Sequence, residues 1–90
     1  MILDRCLELD PQVAVRPEPF GALAYHYGNR RLIFLKHPDV VRVVGALGNG
    51  RSVREALVAC EVDESRWPSF IAALESLSRS GMLREHALAG

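Results

Sequence analysis

The chain has 90 residues, and its 11 basic and 11 acidic side chains cancel at neutral pH. That length supplies one hydrophobic core but not a two-lobed substrate cleft. The cancelled charge supplies no long-range pull toward nucleic acid or anionic lipid.

No apolar run approaches the ~20 residues of a membrane span. Met1-Ile2-Leu3-Asp4 has no basic segment leading into an apolar block, so a cytoplasmic protein with no membrane partner is expected. Cys6 and Cys60 stand far apart with no C-x-x-C pair, and they read as reduced, structural thiols.

Residues 1–10 read as an arm. Ile2, Leu3, Cys6, Leu7 and Leu9 fall within two helical turns, and Asp10-Pro11 ends a short amphipathic helix there. Residues 12–35 read as an antiparallel β-meander. Val13 and Val15 share a face of the first strand, after which Pro17 and Pro19 remove two backbone donors and bar that segment from a sheet interior. In Ala22 to Tyr27, Leu23, Tyr25 and Tyr27 form one face and Ala24 and His26 the other. Gly28-Asn29 suits a two-residue hairpin turn with positive φ. The third strand is Arg31-Leu32-Ile33-Phe34-Leu35. Leu32 and Phe34 point one way, Ile33 and Leu35 the other, and so small a chain has loose cover for one of those faces.

The period changes at His37. Pro38 suits the first position of a helix, Asp39 its positive end, and Val40, Val43, Val44 and Leu47 recur at helical spacing. Gly48-Asn49-Gly50 is a break. Ser52 and Glu55 form a capping box for a second helix bearing Val53, Ala56, Leu57 and Cys60 on one side. Trp67, Phe70, Ile71, Leu74 and Leu77 mark the longest helix, which Gly81 ends as a left-handed cap. Residues 38–80 are thus a three-helix unit. Met82 and Leu83 fold back on the core, and residues 86–90 read as a frayed tail. The whole is one α+β domain, a three-stranded antiparallel sheet followed by three helices, resembling a winged helix-turn-helix with its sheet moved to the front.

No chemistry-bearing constellation emerges. His26, His37 and His86 share no ligand spacing, Cys60 has no sequence neighbour that would activate it as a nucleophile, and the glycines make no phosphate-binding loop. The expectation is a non-enzyme without cofactor or metal. A winged-helix DNA-binding module is the alternative. Against it, the long helix sets Arg66 and Arg79 against Glu64 and Glu75, a weak footprint for a duplex. Arg30 and Arg31 could meet an acidic peptide, although a basic hairpin end is usually a solvated turn.

Two patterns carry a resemblance. Gly-Asn-Gly-Arg-Ser-Val-Arg-Glu-Ala-Leu between the first helices, with Leu74, Leu77, Gly81 and Leu83, resembles the precursor-peptide recognition domains of ribosomal peptide modification. Arg16-Pro17-Glu18-Pro19-Phe20-Gly21-Ala22-Leu23, Tyr25-His26 and Arg30-Arg31-Leu32 with Phe34-Leu35-Lys36 resemble the mycofactocin biosynthesis chaperones, relatives of the pyrroloquinoline quinone biosynthesis peptide chaperone.

The resemblance implies a non-catalytic carrier that binds a precursor peptide and presents it to a radical S-adenosylmethionine maturase. That enzyme, which holds the iron–sulfur clusters, oxidatively decarboxylates and cross-links a C-terminal Val-Tyr. The resemblance also implies that the last helix walls the binding site. The peptide would then add as a fourth strand along Arg31, Leu32, Ile33, Phe34 and Leu35. Ala73 and Leu77 would line the groove, small side chains at Ala73 and Ser80 would leave room, and Arg66 would meet an acidic residue. Whether Ile33 or its neighbours turn their N–H groups outward is open at this level. An open edge also predicts a homodimer of the free protein, through this strand or the arm.

Overall fold

A computed structural model describes residues 2–48 and 50–85. The arm departs from expectation. Ile2–Asp4 makes a 3-10 turn, and Leu7–Leu9 is not helix but a strand, β1, paired antiparallel with the last strand, β5 (Leu83–Glu85). A helix of two turns is marginal in water. The strand instead satisfies its backbone on β5 and buries Leu7 completely. Ion pairs Arg5–Glu85 and Arg84–Glu8 (2.8 Å) flank the clasp. The expected tail, 86–90, lies outside the described residues.

The expected meander is present as β2 (Val13–Glu18), β3 (Gly21–His26) and β4 (Leu32–Leu35), in that spatial order. Pro17 lies within β2, opposite Ala22, because β2 is an edge strand. The Tyr27 N–H donates to the Gln12 carbonyl. By antiparallel alternation, the even-numbered residues of β2 therefore bond β3, and Pro17 turns its nitrogen outward where no donor is needed. Gly21 passes so close to β4 that a Cβ there would collide with the Leu35 carbonyl oxygen.

The hairpin turn is longer than the two residues expected. Four residues, Tyr27 to Arg30, lie between His26 and Arg31, the pair that closes the hairpin, and Arg30, not Gly28 or Asn29, takes the left-handed conformation at φ 61°. The cause is His26: its Nδ1 accepts the N–H groups of both Gly28 (3.0 Å) and Asn29 (3.1 Å).

The helices follow the sequence reading. α1 (Pro38–Ala46) buries Val40, Val43 and Val44, and packs on β3 and β4. α2 (Val53–Ala59) begins with the complete Ser52–Glu55 capping box. α3 (Trp67–Arg79) buries Phe70, Leu74 and Leu77. Gly81, at φ 81°, lets the Met82 N–H reach the Leu77 carbonyl, turning the chain back so that Met82 and Leu83 are buried. On the helical side of the sheet, Ala22, Ala24, His26 and Leu35 are buried.

Candidate functional site

β4 is the second edge of the sheet, and its backbone orientation follows from one bond. The His26 N–H donates to the Arg31 carbonyl at 2.9 Å. Arg31 and His26 are thus a hydrogen-bonded pair, and alternation makes Ile33–Ala24 and Leu35–Ala22 the next two. Leu32 and Phe34 turn their N–H and C=O groups away from β3, toward the open edge. The two edges differ. The outward positions of β2 include Pro17, which cannot donate, whereas β4 carries no proline.

Beside β4 lies a groove whose other wall is α3. A cleft of about 170 Å³ is lined by Ile33, Phe34 and Leu35 on the strand side and by Ala73, Ser76 and Leu77 on the helix. Lys36, His37 and Val40, at the strand-to-helix junction, close its end. His37, Val40 and Ala73 also line a second cleft of about 430 Å³, continued by Ser65, Arg66, Ser69 and Phe70. The groove is therefore apolar beside β4 and becomes polar and cationic toward the start of α3.

Arg66 is held in place. Its Nη2 donates to Asp39 Oδ2 at 3.0 Å, and its guanidinium lies 5.2 Å from the Phe70 ring centroid. Asp39 Oδ1 also accepts from Arg42 at 3.2 Å, so one carboxylate in the first turn of α1 ties both arginines. A guanidinium offers five N–H donors, and Arg66 remains half exposed, leaving donors for a second carboxylate.

Of the eight residues expected at a peptide site, Ile33, Phe34, Leu35, Arg66, Ala73 and Leu77 line this groove system. Arg31 and Leu32 do not line it; they sit at the hairpin end of the same edge. Ser80 was expected to give room, but it caps α3, and its carbonyl accepts from Asn29 Nδ2 at 3.1 Å. The small side chains along the groove are Ser65, Ser69, Ala73 and Ser76. Lys36, His37, Val40, Ser65, Ser69, Phe70 and Ser76 were not anticipated. A signal existed for His37 alone, since Pro38 at a helix start fixes its predecessor in the junction between edge strand and helix.

Among the described residues, no group of three His, Cys, Asp or Glu side chains could hold a metal, and no helix is long and apolar enough to cross a membrane. Cys6 and Cys60 are both free and half-buried.

Comparison with known proteins gives a single answer. Residues 6–84 match the model of the Peptide chaperone MftB family. The peptide chaperone MftB of Mycobacterium ulcerans (strain Agy99) is 49% identical over 80 residues, covering 89% of this chain and 73% of that protein. That of Mycobacterium tuberculosis (strain ATCC 25618 / H37Rv) is 46% identical with the same coverage. That of Mycolicibacterium smegmatis (strain ATCC 700084 / mc(2)155) is 49% identical over 75 residues, 83% of this chain and 74% of that protein. No solved structure matches. The resemblance read from the residues is borne out: the chain belongs to the peptide chaperone MftB family, whose members are peptide chaperones and not catalysts.

Proposed function

We propose that this protein binds a ribosomally made precursor peptide by strand addition to β4 and presents it to a radical S-adenosylmethionine maturase in mycofactocin biosynthesis, in the cytoplasm. The observation that carries the reading is the coincidence of an unpaired, proline-free edge with an apolar groove beside it. Leu32 and Phe34 supply the backbone donors and acceptors. Backbone pairing is largely blind to sequence, so side-chain recognition falls to the groove.

Peptide side chains on the helical side of the new strand enter between Ile33, Leu35, Ala73 and Leu77, where apolar groups fit. Those farther along reach Arg66, where an acidic group fits. Ordering a flexible peptide costs a few kcal/mol, so the apolar anchors and the ladder must act together. Charge favours a peptide over a duplex, because the 11 basic and 11 acidic side chains cancel and Arg54, the basic residue of α2, is already engaged by Asp4.

The test is a titration with a precursor peptide, following backbone amide shifts. Changes should concentrate at Leu32, Phe34 and Ala73; changes confined to α2 and β1 would refute the reading. The same edge permits self-pairing. The arm is spoken for by β5, so dimerisation of the free protein through β4 is expected, reversed by peptide. A sedimentation series that stays monomeric at all concentrations would count against it.

A further inference from the structure

The two clefts beside β4 are not separate pockets. His37, Val40 and Ala73 line both, so the clefts meet over Ala73 and form one trough with two ends. On α3, Ser76 and Leu77 mark the apolar end, Ser69 and Phe70 the cationic end. Ser69 to Ser76 and Phe70 to Leu77 are each two turns of helix, about 10 Å along its axis. The overlap at Ala73 brings the occupants of the two ends closer together than that.

This limit fixes a spacing. A strand laid along β4 reaches both ends only with side chains on one face, and these recur every ~6.6–6.8 Å. Residues two apart fit within the limit. Residues four apart, at ~13 Å, overshoot it, and residues one or three apart point to opposite faces.

The chemistry of the ends differs. Ile33, Leu35 and Leu77 make one end apolar. At the other, Asp39 accepts from both Arg66 and Arg42, which leaves one net positive charge on the three side chains. Lys36 adds a cation at the junction, and no Asp or Glu among the described residues lines either cleft. The complement is a carboxylate at one end and an aliphatic group at the other. A second copy is a poor occupant, because its β4 is flanked by Arg30, Arg31 and Lys36 and has no carboxylate two residues from Ile33 or Leu35.

We infer that the trough reads an acid–x–aliphatic pair in the precursor peptide: a carboxylate side chain on Arg66 and an aliphatic one between Leu35, Ala73 and Leu77, separated by one residue that faces away. This inference rests on the proposed strand addition and adds the spacing code that backbone pairing lacks. Ala73, common to both clefts, is the residue that sets the spacing.

The test is titration of the protein with synthetic β-prone peptides carrying one leucine and one glutamate, set one, two, three or four positions apart in both orders. Each is compared with its glutamine twin. At the two-residue spacing, in one of the two orders, the glutamate peptide should bind about fivefold or more tighter than its twin, and no tighter at the other spacings. Arg66→Gln should erase that preference with the melting temperature held. Arg79→Gln, which removes a cation of α3 outside both clefts, should keep it. A preference that ignores spacing, or that Arg79→Gln removes as fully as Arg66→Gln, would overturn the inference, because the general field of the surface would then be the cause. The precursor peptide separates the two levels. If it fails to bind the wild-type protein, strand addition itself falls; if it binds while the spacing series is flat, this inference alone falls.

Discussion

A single proline, moved by one residue, separates fold from function along β4. Ile33 turns its N–H toward Ala24, so Ile33→Pro removes an interior ladder donor and drives the ring into β3. A proline in such a position costs about 3 kcal/mol or more. For a domain of this size that lowers the melting temperature by roughly 12–24 °C. Phe34 turns its N–H outward, as Pro17 turns its nitrogen on the opposite edge, so Phe34→Pro should fold. It loses one ladder bond to the peptide, worth about 0.5–1.5 kcal/mol, or roughly a 2- to 12-fold loss of affinity, and its ring adds a steric barrier to the approaching strand. Phe34→Thr is the control, because it loses the aromatic side chain but keeps the donor. Thermal melts followed by circular dichroism, with calorimetric titration of peptide, measure both quantities. If Phe34→Pro binds peptide as well as Phe34→Thr does, strand addition on β4 is wrong. If Ile33→Pro melts like the wild type, the hydrogen-bond parity inferred from the His26–Arg31 bond is wrong.

Two further outcomes follow from the packing and capping. Gly21→Ala should destabilise by about 2 kcal/mol or more, read as a lower urea midpoint, because the added Cβ collides with the Leu35 carbonyl and the neighbour is backbone; an unchanged midpoint would mean that β3 and β4 are not so close. The Glu55 carboxyl is held below the usual range by the Ser52 N–H and hydroxyl, as is that of Asp63 by Ser65. A depressed folded pKa contributes stability that is present above the unfolded value and lost as the pH falls through the folded one. Glu55→Gln should therefore flatten the acid limb of a melting-temperature profile while leaving its shape near neutral pH unchanged.

The elements governed by local chemistry were legible in the sequence. Ser52 and Glu55, three residues apart, announce a helix start, and Gly81 after Leu77 announces a stop, because each acts on backbone groups within one turn. The β1–β5 clasp was not legible. Leu7 and Leu9 fit a short helix and a short strand equally well, and the partner that decides between them lies at the other end of the chain. The hairpin misled for a different reason: His26 captures the Gly28 and Asn29 N–H groups and lengthens the turn. In the groove, Ala73 and Leu77 could be singled out on α3, but helical phase alone does not say which flank meets β4. His37, Val40, Ser69 and Ser76 come together only when a junction and two helices assemble.

The clasp also orders events during synthesis. β2, β3 and β4 find their partners within a few residues of themselves and can pair while the chain is still being made. β1 is made before any of them and waits longest. Its backbone, paired in the finished molecule with Leu83–Glu85, stays without that partner until Glu85 has emerged, and closing so long a loop comes late in folding. A nascent or truncated chain stopping short of Leu83 would already hold the whole β4 edge and α3, yet still carry an unpaired apolar first strand. The groove is thus assembled before the molecule is sealed.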